Sequence, residues 1–181
     1  MKEIEDDFQE LARQVIDGKV VSIAESGKAK LDRFFALWSI RATFRHMELA
    51  DVKFNGITGD ALTKDQEERL ENVGVLFMRQ GGTMPAHRFH GVQMQMGIMR
   101  KVSELANIRW GIVRALEGQF IVPDFPNTTM IPVAPTLCFC GTPGDLVESG
   151  AVLKRNVIEI NRHLIDNCRQ YYFANDLRIC V

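Results

Sequence analysis

An aspartate between two prolines is the most constrained acidic residue in this chain. In Phe120-Ile121-Val122-Pro123-Asp124-Phe125-Pro126, an apolar run stops at Pro123, and Pro126 holds Phe125 extended. Asp124 is left with little freedom. Its short carboxylate can accept amide hydrogens two or three residues on, as an Asx-type turn, or be displayed for a metal, a cation or a proton transfer. His87 and His90 lie three apart, close enough on a helix to share a ligand, although exposed or capping histidines are the commoner outcome. Cys138 and Cys140 would share one face of a strand. Their spacing fits no zinc knuckle, which separates paired cysteines by two to four residues, so they read as core thiols.

The composition, 46% apolar and 25% charged over 181 residues, is that of one globular domain, residues 1–181. No apolar run approaches the ~20 residues needed to cross a bilayer. The N-terminus, MKEIEDDFQE, is acidic and amphipathic rather than a secretory or transit signal, which points to the cytoplasm. The net charge of −1 conceals a gradient. Residues 76–114 hold Arg79, Arg88, Arg100, Lys101, Arg109 and Arg114 against Glu104 alone. That segment is the one feature suited to a nucleic-acid backbone, and the plainer reading is a solvated face partly paired with the acidic N-terminal segment.

The elements that must position these residues follow from periodicity. Ile4, Phe8, Leu11 and Val15 predict a helix over 2–17. A second, capped by Ser26, extends to about residue 49, with Leu31, Phe34, Phe35, Trp38 and Ala42 inward. Thr63 and Gln66 make a capping box for a third, with a Leu70, Val73, Phe77 stripe ended by Gly81-Gly82. Pro85 opens a fourth to about 106, with Phe89, Val92, Met96, Met99 and Val102 facing a core. Then the period becomes two. Ile108, Trp110 and Ile112 predict a strand that turns at Glu117-Gly118 into a hairpin with QFIVP. MIPVAP and LCFC read as short strands, 154–172 as a last helix, and DLRICV as a last strand. Helices first and strands later predict an α+β fold: about four N-terminal helices on a small, mainly antiparallel sheet, with one C-terminal helix.

The order of parts resembles the uncharacterised bacterial and phage family called domain of unknown function 4238. The matching stretches are FFALWSIRATFR (Phe34 to Arg45), IRWGIVRALEGQFIVPDFP with Asp124 and Pro126, IPVAP (ending at Pro135), and VIEINRHLIDNCRQYYFA with Asn161. The family's N-terminal histidine segment has no counterpart here, and Pro123 and Phe125 replace a serine and an asparagine of its turn. The resemblance implies a constellation of Arg41, Asp124 and Asn161, either a mutually satisfied polar network or a grip on a phosphate or carboxylate.

Two functions compete. One is a small bacterial or phage protein that binds a protein partner or itself without catalysis, with no cofactor; Trp38 and Trp110 are candidates for an exposed patch, although both fit a core. The chain carries no Gly-rich phosphate loop, HExxH or GxSxG to argue otherwise. The alternative is a hydrolase of phosphate substrates, nucleic acid included. There Asp124 would hold Mg2+ or Mn2+ or act as base, Asn161 would orient, and Arg41 or Arg109 would steady the anion. Only Glu117 and Asp166 are on offer as further acids.

Overall fold

The computed structural model describes residues 1–181 except 46, 49, 145–148 and 181, and it leaves the side chains of His87 and Arg88 undescribed. The fold is α+β. The chain, expected to be one domain, divides into two compact units: residues 1–45 with 98–181, and residues 46–97.

In the first unit, α1 (Lys2–Ile16) and α2 (Glu25–Phe44) lie side by side, with the rings of Phe8 and Phe34 stacked at 3.5 Å. Helix α2 starts at Glu25, with Ala24 rather than Ser26 at its cap and no side-chain cap bond. Four strands follow: β3 (Ile108–Ala115), β5 (Met130–Ala134), β6 (Leu137–Pro143) and β7 (Gly150–Val152), in the order β5-β6-β3-β7. All pairs are antiparallel except β3 with β7. Alternation sends Trp110, Ile112, Ile131, Leu137 and Phe139 into a core with Phe8, Leu11, Leu31 and Phe35. Val113, Cys138 and Cys140 go the other way, onto Val157 of α5 (Lys154–Asp166). The sheet is thus covered on both faces. That is why β6 begins with four consecutive buried residues instead of alternating. Cys138 is buried as expected, and loss of hydration pushes its thiol well above its ordinary pKa.

Several expectations are corrected. The hairpin between β3 and QFIVP does not form. β3 pairs with β6 in register from Ile108 opposite Pro143 to Arg114 opposite Leu137, and β7 takes its other edge. The seven-pair ladder with β6 and the parallel pairing with β7 occupy both edges of β3. Val122–Pro123 (β4) instead pairs with Tyr172–Phe173 (β8). The tail DLRICV forms a short 3-10 helix, Leu177–Ile179, not a strand. Met96 and Met99, expected in the core, are 65% and 72% exposed on α4 (Ala86–Glu104). Ile98, which was not expected inward, packs with Val102, which was, against Ile4 and Leu37.

In the second unit, β1 (Val52–Lys53) pairs with β2 (Thr83–Met84). Helix α3 (Lys64–Asn72) begins with the expected box: Gln66 N–H donates to Thr63 Oγ1 and Thr63 N–H to Gln66 Oε1. It stops well before Gly81. Gly74 adopts φ +78°, and Val75 N–H donates back to the Leu70 carbonyl, a Schellman closure that leaves Val73 exposed. Gly82 does different work. At φ +79°, a Cβ there would lie 2.3 Å from the Ile57 carbonyl oxygen, so the turn from Arg79 to Thr83 admits no side chain at this position. Arg79 binds both oxygens of Glu67 and reaches Asp51, whose other oxygen accepts Ala86 N–H.

One buried polar cluster ties α2 to β3. Asp32, 5% exposed, accepts Trp110 Nε1–H at 2.7 Å and pairs with Lys28, whose ammonium also donates to the Leu105 carbonyl at 3.1 Å. Asp32→Ala strands a buried ammonium and an indole N–H. The expected loss is about 3 kcal/mol of unfolding free energy, read from urea midpoints at unchanged m-value.

Candidate functional site

The proline-bounded aspartate is a structural joint. Asp124 Oδ1 and Oδ2 accept the amide hydrogens of Arg169 and Gln170, each at 2.9 Å, and Asp124 N–H donates to the Tyr171 carbonyl at 3.1 Å. In a continuing helix those two amides would bond to the carbonyls four residues back. Diverted to Asp124, they end α5 at Asp166, short of the expected Tyr172, and turn the chain so that β8 meets β4. Partial burial by itself would push the carboxyl up, but the amides of Arg169 and Gln170 outweigh it and hold Asp124 below its ordinary 3.8. The Arg169 guanidinium closes over the Phe125 ring at 3.7 Å. Each Asp124 oxygen thus carries one backbone hydrogen bond, and the carboxylate is oriented by the end of α5.

Asn161 is fully buried. Its Oδ1 accepts Ile121 N–H at 3.1 Å, and its Nδ2 donates to the carbonyls of Gln119 and Cys180 at 2.7 and 2.6 Å. Arg41 pairs with Glu5 of α1 at 2.5 Å, and that guanidinium draws the Glu5 carboxyl below its usual range. Arg41, Asp124 and Asn161 therefore do not bond to one another. Arg41 and Asp124 share the walls of one open depression, while Asn161 is sealed behind the strand that leads to it. Glu117 and Asp166, the other acids considered, are exposed. Among the described residues, no three His, Cys, Asp or Glu are grouped to hold a metal ion.

Among the described residues, the cations of the basic segment each have a partner. Arg79 holds Glu67 and Asp51, Arg100 and Lys101 flank Glu104, Arg109 meets Glu25 at 2.5 Å, and Arg114 donates to the Val15 carbonyl. The Arg109–Glu25 pair is the expected link to the acidic N-terminal segment. His90 Nδ1 lies 2.9 Å from the Ala86 carbonyl one helical turn back. The His87 and Arg88 side chains fall outside the described residues.

Sequence reasoning missed a broad apolar concavity. A groove of 610 Å3 opens between α1, α2 and the β4–β5 region, walled by Phe8, Phe34, Leu37, Trp38, Ile131 and Val133. Trp38, Arg41 and Val122 continue into the Asp124 depression of 410 Å3, whose far wall carries Arg45 and Tyr171. Arg45 Nη1 donates to the Tyr171 hydroxyl, and its guanidinium sits 5.2 Å from the Tyr171 ring centre. Phe34 and Trp38 were assigned inward on α2, correctly, since both are half-buried. A one-dimensional pattern cannot separate residues that fill a core from residues that line an unfilled gap. A second cavity, 500 Å3, opens on the sheet face of Cys140, with Thr128 and His163 among its walls.

Two outcomes follow from this geometry. Asn161→Ala leaves one amide and two carbonyls unpaired, and about 4 kcal/mol of stability should be lost in urea titration. For Asp124 the folded pKa lies below the unfolded one, so its stabilisation is present above the ordinary aspartate pKa and lost as pH falls through the folded value. The stability gap between the unmodified chain and Asp124→Asn should accordingly be open at pH 7 and narrow as the pH falls below 3.8.

No protein-family model, curated protein or solved structure matches this chain.

Proposed function

We propose that this chain is a non-catalytic binding protein whose binding element is the apolar groove of its first unit. The observation that carries this reading is the gap itself. Two helices and a sheet that otherwise pack closely leave 610 Å3 open, within the 300–1,000 Å3 typical of small-ligand sites. Its lining is aromatic and aliphatic, with charge confined to a few side chains such as Glu5, Arg13 and Arg41. An apolar surface kept in water costs about 25 cal/mol for every Å2, so an occupant that covers it is favoured without any chemistry.

The groups that suggested catalysis are engaged elsewhere. Asp124 shapes a turn, Asn161 fastens three backbone segments, and Arg41 joins α1 to α2. A binding site made of packed side chains on helices and strands needs none of them to be reactive.

The test is binding of Nile red, an uncharged apolar dye, followed by fluorescence. Ile16 is half-exposed on the groove's wall and Val133 half-buried in its β5 side, so a charge at either site should be accommodated by the fold. Ile16→Arg and Val133→Arg should each weaken dye affinity about tenfold, the scale of one lost apolar side-chain contact, while thermal midpoints stay close to the parent. Dye affinity unchanged in both variants would overturn the reading.

A further inference from the structure

The concavity is not chemically uniform along its length. At one end the walls are Ala12, Ile16 and Arg13, the last bonded to Glu10 at 3.1 Å. Along the middle run Phe34, Leu37 and Trp38. Past Arg41 it reaches Arg45 and Tyr171. Phe34 and Arg45 are eleven residues apart on α2 and its cap, about 16 Å at 1.5 Å per residue. The path is therefore long and mostly apolar in its middle, with Arg13 toward one end and Arg45 toward the other.

These arginines differ in their partners. Arg13 has Glu10 and Arg41 has Glu5. Arg45 has the neutral hydroxyl of Tyr171. The acid in the same depression, Asp124, has both oxygens committed to the Arg169 and Gln170 amides. Among the described residues, no carboxylate lies within salt-bridge distance of Arg45, although Asp124 contributes a longer-range field. Arg45 is also held in place, since Tyr171 grips it through its hydroxyl and its ring face, and the Tyr171 ring is braced edge-on by Phe173 at 5.3 Å. A guanidinium fixed through one nitrogen keeps its other N–H groups for an incoming anion, in the planar fork that suits a carboxylate.

Building on the groove reading above, we propose that the occupant is an amphipathic carboxylic acid: a chain or ring system of apolar carbon bearing one carboxylate. Its apolar body lies along Phe34 and Trp38, and its carboxylate meets Arg45. Charge complementarity sets the direction of binding, because the opposite limit offers only an arginine already paired. A neutral apolar molecule would fill the same space and leave Arg45 without an anion.

Displacement of Nile red separates this inference from the groove reading on which it rests. Decanoate and decanol share a carbon chain and differ in the head group, and both are used below the concentration at which decanoate forms micelles. Decanoate should displace the dye at about tenfold lower concentration than decanol, and added salt should shrink that advantage, as it does for any exposed charge pair. Arg45→Gln should erase the advantage while leaving the decanol value unchanged, and Arg45→Lys should restore part of it. Arg45 lies exposed at the end of its helix, so these variants are expected to fold, with thermal midpoints as the control. Equal displacement by the two compounds, or an advantage that survives Arg45→Gln, overturns the carboxylate assignment and leaves an apolar groove standing. Dye that binds but is displaced by neither compound overturns the assignment as well. Dye binding indifferent to Ile16→Arg and Val133→Arg removes the groove reading itself.

Discussion

The side-chain amide of Asn161 is the constraint from which the functional face of this protein descends. One buried group satisfies the Ile121 amide and the carbonyls of Gln119 and Cys180, three backbone groups in segments that no sheet pairs at those points. Without a partner each would carry the desolvation cost of a buried polar group. Because α5 supplies Asn161 and packs through Val157 on the sheet, the segment 119–121 is fixed relative to both. Val122 follows immediately, and with Trp38 and Arg41 it is shared by the apolar groove and the depression beside it. An exposed surface is thereby positioned by a hydrogen-bond network with no solvent access.

Asp124 extends the same logic by three residues. Its two prolines narrow the backbone, its carboxylate collects the amides that would have prolonged α5, and β8 is delivered to β4. Tyr171 arrives on that strand's approach and takes hold of Arg45. A motif with the look of an active-site acid thus acts on architecture, and the consequence appears a few ångströms away, at a guanidinium no one would single out from its neighbours. Chemically conspicuous residues in small domains are often spent in this way. Their desolvation demands partners, and the partners are usually backbone.

The charged residues divide into those that balance one another and the few that do not. Arg79 and Arg109, both in the segment between 76 and 114, and Arg41 of α2 each close onto carboxylates distant in sequence. Pairs this exposed contribute little to stability individually. Their effect is on what the surface can attract, because a paired arginine has less left for an anion than Arg45 has.

By itself the sequence determined the local elements whose signals are carried by neighbouring residues. The Phe8-Leu11-Val15 stripe, the Thr63–Gln66 box, the change from helical to strand period after Asn107, and the burial of Cys138 and Cys140 all follow from spacing. The proline elbow announced a constrained carboxylate, but the amides it accepts are those of Arg169 and Gln170 rather than amides two or three residues on. Tertiary structure decided whatever depended on competition between distant partners. β3 preferred the seven-residue ladder of β6 to its own nearest neighbour, α4 turned Met96 and Met99 outward because Ile98 and Val102 matched Ile4 and Leu37, and α5 stopped where Asp124 claimed its amides. The groove belongs to this second class. Phe34 and Trp38 carry the same apolar signal whether a third surface closes over them or not, and only the packing of α1, α2 and β5 leaves that space unfilled.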